Sequence, residues 1–537
     1  MKEKIKFLIP YWKKGVLPVL YLLISTLVSF FYPLFPKWAI DDVVIKKNYD
    51  KLVFIAVFFL FLIIIQRLFL YLNEITFFKF QKESILNIQQ KLIKKVFSYP
   101  MDFFNKNHSG YLMGRIRGDV TGLSYIFSAS LISIFMDFIK FFGAIFILFT
   151  LNVKLTLISI CTIPLLLFKV KSSKSSIKNI NEKLIEENAK LEKELSDTFQ
   201  GIEVLKSFSK EGEGIKRTSE ALLQYQQTEV KRNKILSQYR NIIDLIIRLG
   251  EVLLLYFGIK EIILGKLTIG SYVAFTGYIL YIFSPMTNLS NISILLDYAK
   301  RSYNRIKELM DILPEDSGNI EIDKIDKIAI TNLNFSYTGK ESVIKNLNFE
   351  IVKGDKVIFE GESGSGKSTF IKLLLGLYRP QEGAIFYNGV NLKKIDLKKL
   401  REKVGYISQN IFLFNKTIKE NIIFENKNIS SDQLKKLFKE CRLEKMLSRF
   451  KKGLEEEISE KGDNVSGGER QRIAFVRALI KDPDVIIIDE GTSNLDIETE
   501  EEILKLLEKS FKDKIILRIT HRRIDRDDGW RRIVINS

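Results

Sequence analysis

Six long apolar stretches in the first 300 residues constrain this chain more than anything else in its sequence. They run at about 16–40, 53–77, 126–150, 154–170, 241–259 and 269–298, the fourth being the shortest. Several reach the roughly 20 residues a helix needs to cross a bilayer. In hydrocarbon every backbone N–H and C=O must be satisfied, and a helix does this within one segment. Segments 78–125 and 171–240 between the spans are helical in pattern and lysine-rich, so the positive-inside rule places them in the cytoplasm. The short connections at 41–52, 151–153 and 260–268 then fall outside. Lys2, Lys4, Lys6, Lys13 and Lys14 precede the first span, and both termini are expected in the cytoplasm. No small-residue cleavage site follows the basic opening, so the first span is expected to stay as a membrane helix.

Charges inside the spans include Arg67, Asp137, Lys140, Arg248 and Glu251. Asp137 with Lys140, and Arg248 with Glu251, sit three apart, where neighbours on a helix can pair, which favours a structural role over a substrate site. The formal charge of +19 is spread along the chain without an aromatic-basic module, so no nucleic-acid partner is expected. The two cysteines, Cys161 and Cys441, have neither disulfide context nor metal-ligand spacing.

The pattern changes near residue 320. Short β-branched runs at Val357–Phe359, Val404–Ile407, Val485–Ile488 and Ile515–Ile519 alternate with helical segments, which reads as a parallel α/β sheet. The expected organisation is a multidomain membrane protein, with a six-helix α transmembrane domain over 1–318 and an α/β domain with a helical subdomain over 319–537. The run AKRSYNRIKELMDILPEDSG, 299–318, joins them.

The sharpest motif is Gly361-Glu362-Ser363-Gly364-Ser365-Gly366-Lys367-Ser368-Thr369, after one strand and before a helix. Glycines let backbone N–H groups turn toward phosphate oxygens, Lys367 reaches the β and γ phosphates, and Ser368 ligates magnesium. The α/β domain is therefore expected to be a phosphate-loop ATPase domain, with ATP and Mg2+ as cofactors. Downstream, the apolar strand Val485–Ile488 ends on Asp489 and Glu490. This pattern presents Asp489 to the metal and Glu490 to the attacking water.

Between these motifs lies Val465-Ser466-Gly467-Gly468-Glu469-Arg470-Gln471-Arg472. Ser466 and Glu469 have capping-box spacing for the following helix. In its place ahead of Asp489, the run also resembles the signature motif of ATP-binding cassette proteins, with Val465 where leucine is usual and Glu469 where glutamine is usual. In that family the signature of one subunit faces the γ phosphate held by the other. The resemblance implies that Tyr337 stacks on adenine and that Gln409 senses magnesium and water. It further implies that Ser493-Asn494-Leu495-Asp496 crosses the dimer interface and that His521 is the switch histidine on the γ phosphate. Segments 101–113 and 197–208 resemble the cytoplasmic loops of the exporter branch that rest on ATPase domains, and Glu457 resembles the residue through which the signature feels them. After His521 the chain departs from the family pattern, and the edge that closes the domain is expected to be truncated, with Ile533–Ile535 as a candidate strand.

The resemblance implies ATP-driven export by a homodimer or a heterodimer with a related half-transporter, embedded in the bacterial inner membrane. A non-transporting ATP-gated channel or regulatory subunit is the alternative. Apolar, phenylalanine-rich helices suit peptide, lipid and drug-like substrates alike.

Overall fold

The computed structural model describes every residue except 1, 128, 338–341, 363, 425–430, 460–463, 491–496, 520–528 and 536–537. The chain divides into two units, one of residues 1–97 with 109–312, the other of residues 98–108 with 313–537.

The first unit is helical. Its main helices are Lys2–Ser29, Asp50–Val96, Ala129–Leu151, Ile163–Gln200, Glu211–Ile263 and Ile269–Met310. Among the described residues, four segments are long and apolar enough to cross a membrane: Lys14–Val44, Asp50–Val96, Ile132–Leu151 and Val153–Gln200. The apolar part of Glu211–Ile263 carries Asp244, Arg248 and Glu251, which dilute its hydropathy. Arg248 pairs with Glu251 at 3.2 Å and with Asp244 at 3.7 Å. The pairing expected between Asp137 and Lys140 does not form; the Lys140 ammonium instead lies 5.6 Å from the centre of the Tyr281 ring, whose π face attracts a cation.

The first helix breaks after Ser29 and resumes at Leu34–Trp38, with Pro33 between. Proline cannot donate to a preceding turn, and such a break leaves carbonyls to satisfy. The hydroxyls of Tyr278 and Tyr281 donate to Phe30 O at 2.5 Å and Ser29 O at 2.8 Å. A buried ionic cluster ties two other segments together. Asp119 accepts from Arg115 at 2.9 Å and from Arg305 Nε at 3.0 and 3.1 Å, although Arg305 lies 186 residues away in sequence.

The second unit holds two sheets. β1 (Lys327–Phe335), β2 (Ile344–Val352), β4 (Glu382–Tyr387) and β5 (Val390–Asn391) form an antiparallel sheet in the order β2-β1-β4-β5. β3 (Lys356–Glu360), β6 (Val404–Ile407), β7 (Val485–Asp489), β8 (Ile515–Ile519) and β9 (Arg531–Val534) form a parallel sheet in the order β6-β7-β8-β3-β9.

Side chains alternate across a strand, so a sheet covered on both faces reads as a continuous apolar run. Val357, Phe359, Val485, Ile487, Ile515 and Leu517 enter the core shared with helix Lys367–Leu374 and the antiparallel sheet. Ile358, Ile486, Ile488 and Ile516 enter the opposite core, with Ile473, Phe475 and Leu507. Burying each such side chain contributes about 2 kcal/mol. Arg518 on β8 is fully buried and pairs with Glu500 at 2.6 Å. At the end of the chain, β9 lies on the outer side of β3, and Ile535 N–H donates to Glu360 O.

Segment Ser98–His108 belongs to this second unit, whereas Ser109–Met113 belongs to the first. Ser98 O accepts from Glu315 N–H at 2.6 Å. The Asn105 amide donates to the Tyr378 hydroxyl. Arg401 grips Glu315 through both of its terminal nitrogens, at 3.0 and 2.6 Å. In the first unit, the part of 197–208 that follows Gly201 forms the short helix Ile202–Ser207.

Candidate nucleotide site

The phosphate loop leaves the end of β3 and turns directly into helix Lys367–Leu374. Gly366, the N-cap, has φ +90°, and a Cβ there would stand 2.8 Å from Val343 O. Gly361 has φ +154°, and its Cβ would meet Ser365 Oγ at 2.5 Å and Ile535 O at 2.6 Å. Backbone in this region with no room for a side chain requires glycine. The Lys367 ammonium donates to Gly361 O and Glu362 O, both at 2.7 Å, and is almost fully buried. A lysine held at the mouth of a helix N-terminus gives the loop fixed positive potential, which favours phosphate.

β7 lies two strands from β3 and, running parallel to it, delivers the acids to the same end of the sheet. The Ser368 hydroxyl donates to Asp489 Oδ1 at 3.0 Å, and the Tyr406 hydroxyl reaches Asp489 Oδ2 at 3.4 Å. Burial pushes the Asp489 carboxyl above the ordinary aspartate range and the neighbouring Glu490 charge adds to this, while the Ser368 and Tyr406 hydroxyls pull it back. Glu490 sits at φ +50°, a left-handed conformation uncommon for a residue with a side chain. Its N–H donates to Ile519 O at 3.1 Å. Its carboxylate accepts from the Gln409 amide at 2.7 Å.

Tyr337 follows β1, and its hydroxyl lies 3.1 Å from Thr369 Oγ1, beside the phosphate loop. Its ring meets Tyr378 edge-on, with centroids 5.2 Å apart. Ser466 caps helix Gly467–Leu479 in the expected capping box: Glu469 N–H donates to Ser466 Oγ at 3.3 Å, and Ser466 N–H donates to Glu469 Oε2 at 2.8 Å. Arg449 donates to the same carboxylate oxygen at 2.8 Å. Burial works against the Glu469 charge, but the Ser466 backbone and hydroxyl and the Arg449 guanidinium outweigh it and hold the carboxyl below the usual glutamate range.

Lys367, Ser368, Asp489, Glu490 and Gln409 are thus brought together, with Tyr337 and Thr369 at the loop's flank. Glu457 lies apart, bridged to Thr417 with its side chain exposed. Ser363, Asp496 and His521 lie outside the described residues. Sequence reasoning gave no role to Tyr406 or Arg449. Tyr406 is one residue from the end of β6, opposite Ile487 of β7, a placement readable once β6 is set beside β7. Arg449 precedes its partner by 20 residues and carries no local signal.

A phosphate loop, paired strand-end acids and a glycine-led helix on a parallel sheet, joined to a unit of long apolar helices, define a membrane-bound nucleotide-hydrolysing ATPase. Two family models match the chain, the ABC transporter transmembrane region over residues 17–286 and the ABC transporter over residues 344–493. An ATP-dependent lipid A-core flippase of Wigglesworthia glossinidia brevipalpis is 31% identical over 442 residues, 82% of this chain and 76% of that protein. An uncharacterized ABC transporter ATP-binding protein of Bacillus subtilis is 28% identical, covering 100% of this chain and 90% of its own length. The structure of a bacterial Atm1-family ABC exporter with ATP bound shares the fold, with a TM-score of 0.84 at 22% identity over 98% of this chain and 93% of that one. The chain belongs to the ABC transporter family. It is an integral membrane protein that binds ATP and couples its hydrolysis to transport.

Proposed function

We propose that this chain works as one half of a dimeric exporter, in which each ATP lies between the phosphate loop of one subunit and Ser466–Glu469 of the other. One observation supports this best: Ser368 and Gln409 bind the consecutive acids Asp489 and Glu490, at 3.0 and 2.7 Å, beside Lys367. The group that binds phosphate and the group that orders water therefore share one end of the sheet. Glu490 acts as the general base or orienting group for water, and Gln409 fixes its carboxylate.

The oxygen donors Ser368 Oγ and Asp489 Oδ1, with the Gln409 amide nearby, suit a small hard cation. Among the described residues, no group of three or more His, Cys, Asp and Glu side chains forms a metal cage; magnesium needs only one or two carboxylates when phosphates supply the rest. When bound, the ion supplies charge neutralisation at the phosphate oxygens.

Bridging by γ phosphate favours the closed dimer only while ATP is intact, so hydrolysis removes the differential affinity that held it closed. Segments 101–113 and 197–208 carry that closure into the membrane helices. His521 contacts the γ phosphate, Tyr337 stacks on adenine and Asp496 crosses the dimer interface. The ATPase unit and both termini face the cytoplasm of a bacterial cell, the transporter lying in its inner membrane. The curated relatives include lipid A-core flippases and a Transport/processing ATP-binding protein ComA of Streptococcus pneumoniae; an apolar or amphipathic cargo fits this chain as well. Inside-out vesicles given ATP should accumulate such cargo, and right-side-out vesicles should not. Uptake that needs an external binding protein would reverse the direction.

A further inference from the structure

The helical unit contains a cavity of about 500 Å³ lined by parts of the three helices Ile163–Gln200, Glu211–Ile263 and Ile269–Met310. That volume lies within the range of small-molecule sites. Its lining is divided by chemistry. Leu184 and Ile185 give an apolar wall, and Tyr225 and Tyr298 add two aromatic rings. Tyr298 is braced edge-on by Tyr125, with centroids 5.8 Å apart.

The polar wall is unequally satisfied. Arg305 is committed to Asp119, which also holds Arg115, so two guanidiniums share one carboxylate and leave a positive excess. Arg301, also lining the cavity and half-buried, has no hydrogen-bond or ion-pair partner among the described residues. Glu192 is the one acidic group in the lining; it accepts from Asn188 at 2.8 Å and pairs with no cation among the described residues. A guanidinium whose donors are uncommitted among the described residues, beside apolar and aromatic surface, matches a carboxylate or phosphate attached to an apolar body.

We propose that this cavity binds an amphipathic acid, its acidic group on Arg301 and its apolar body along Leu184, Ile185 and the two tyrosines. As a statement of cargo class this rests on the export reading, whereas the binding itself does not. Glu192 opposes the ligand's charge and thereby limits affinity for acids.

The test uses the full-length chain in phosphatidylcholine nanodiscs and three probes with one ring system: 1-naphthoate, 1-naphthyl phosphate and 1-naphthylmethylammonium. Binding is followed by probe fluorescence and confirmed by calorimetry, without nucleotide. Both anions are expected to bind saturably and the ammonium probe at least tenfold more weakly. Arg301→Gln should weaken anion binding about tenfold, the loss of one charge-assisted contact, and Arg301→Lys should restore part of it. Glu192→Gln should strengthen anion binding severalfold. Opposite shifts from these two variants cannot arise from general misfolding, and the melting temperature of each serves as a check. Phosphatidylglycerol added to the discs separates two sources of the same chemistry. Displacement of naphthoate assigns the site to a lipid acid, and no displacement assigns it to a soluble one; either result upholds the site. Equal binding of anion and ammonium, an unchanged affinity in Arg301→Gln, or no saturable binding would overturn the inference. Anion binding without ATP-driven accumulation in inside-out vesicles would instead contradict the export reading and leave the site standing.

Discussion

The Gln409 amide nitrogen stands 2.7 Å from a carboxylate oxygen of Glu490, joining the loop after β6 to the end of β7. Glu490 itself is held in a left-handed conformation with its N–H on Ile519 O. Backbone strain of this kind persists only where neighbouring structure enforces it. The carboxylate is therefore aimed by two independent restraints.

Replacing Glu490 with Gln keeps the shape and removes the base. ATP binding should survive, and phosphate release should fall by a factor on the order of 10² or more. Nucleotide should be retained in a closed dimer. Gln409→Ala should cost less, about tenfold, since it frees the carboxylate without removing it. Near wild-type hydrolysis by Glu490→Gln would remove Glu490 from its role.

The phosphate loop, its helix and the two acids were legible because each motif is continuous in sequence and sits in a local strand-turn-helix frame. The capping box at Ser466 and Glu469 was legible for the same reason, since a three-residue spacing sets both hydrogen bonds. Partners set by tertiary packing were not. Nothing near Asp119 announces Arg305, and nothing near Tyr378 announces Asn105, 273 residues earlier. The fifth apolar stretch was read as a span carrying Arg248 and Glu251; it forms the end of the long helix Glu211–Ile263, where Arg248 also pairs with Asp244. The Asp137–Lys140 pair was inferred from spacing alone, whereas the Lys140 ammonium lies over the Tyr281 ring of another helix.

Arg449 offsets the charge that Glu469 brings to the signature helix. Arg449→Ala should destabilise this part of the ATPase unit by about 1 kcal/mol, the Arg449 side chain being half exposed. The folded Glu469 carboxyl lies below its unfolded value. Its stabilising contribution is thus complete above the ordinary glutamate pKa of about 4.3 and is lost as pH falls through the lowered folded value. Thermal melts should show no contribution to pH dependence from this group between about pH 6 and 8, and a loss on acidification that is smaller in Arg449→Ala. Glu469→Gln keeps the cap, and on the proposed shared site it should raise apparent ATP affinity by removing a negative charge from the helix end.

The Arg115–Asp119–Arg305 cluster should be structural. Asp119 is 4% exposed, and losing one of two cationic partners of a buried carboxylate costs less than losing both. Arg305→Ala should lower stability by about 2 kcal/mol, read as a fall in Tm of the purified chain, and Arg305→Lys should recover part of it. An unchanged Tm would show that Arg115 alone satisfies Asp119.

A nucleotide site shared between two subunits is tested most directly by mixed dimers. With Lys367→Ala in one copy and Ser466→Arg in its partner, both lesions fall in one composite site and the other stays whole. With both changes in one copy opposite a wild-type partner, each composite site carries one lesion. ATPase activity of the isolated dimers is the measurement. The first arrangement should retain measurable activity and the second should lose nearly all of it. Equal activities in the two arrangements would contradict a shared site.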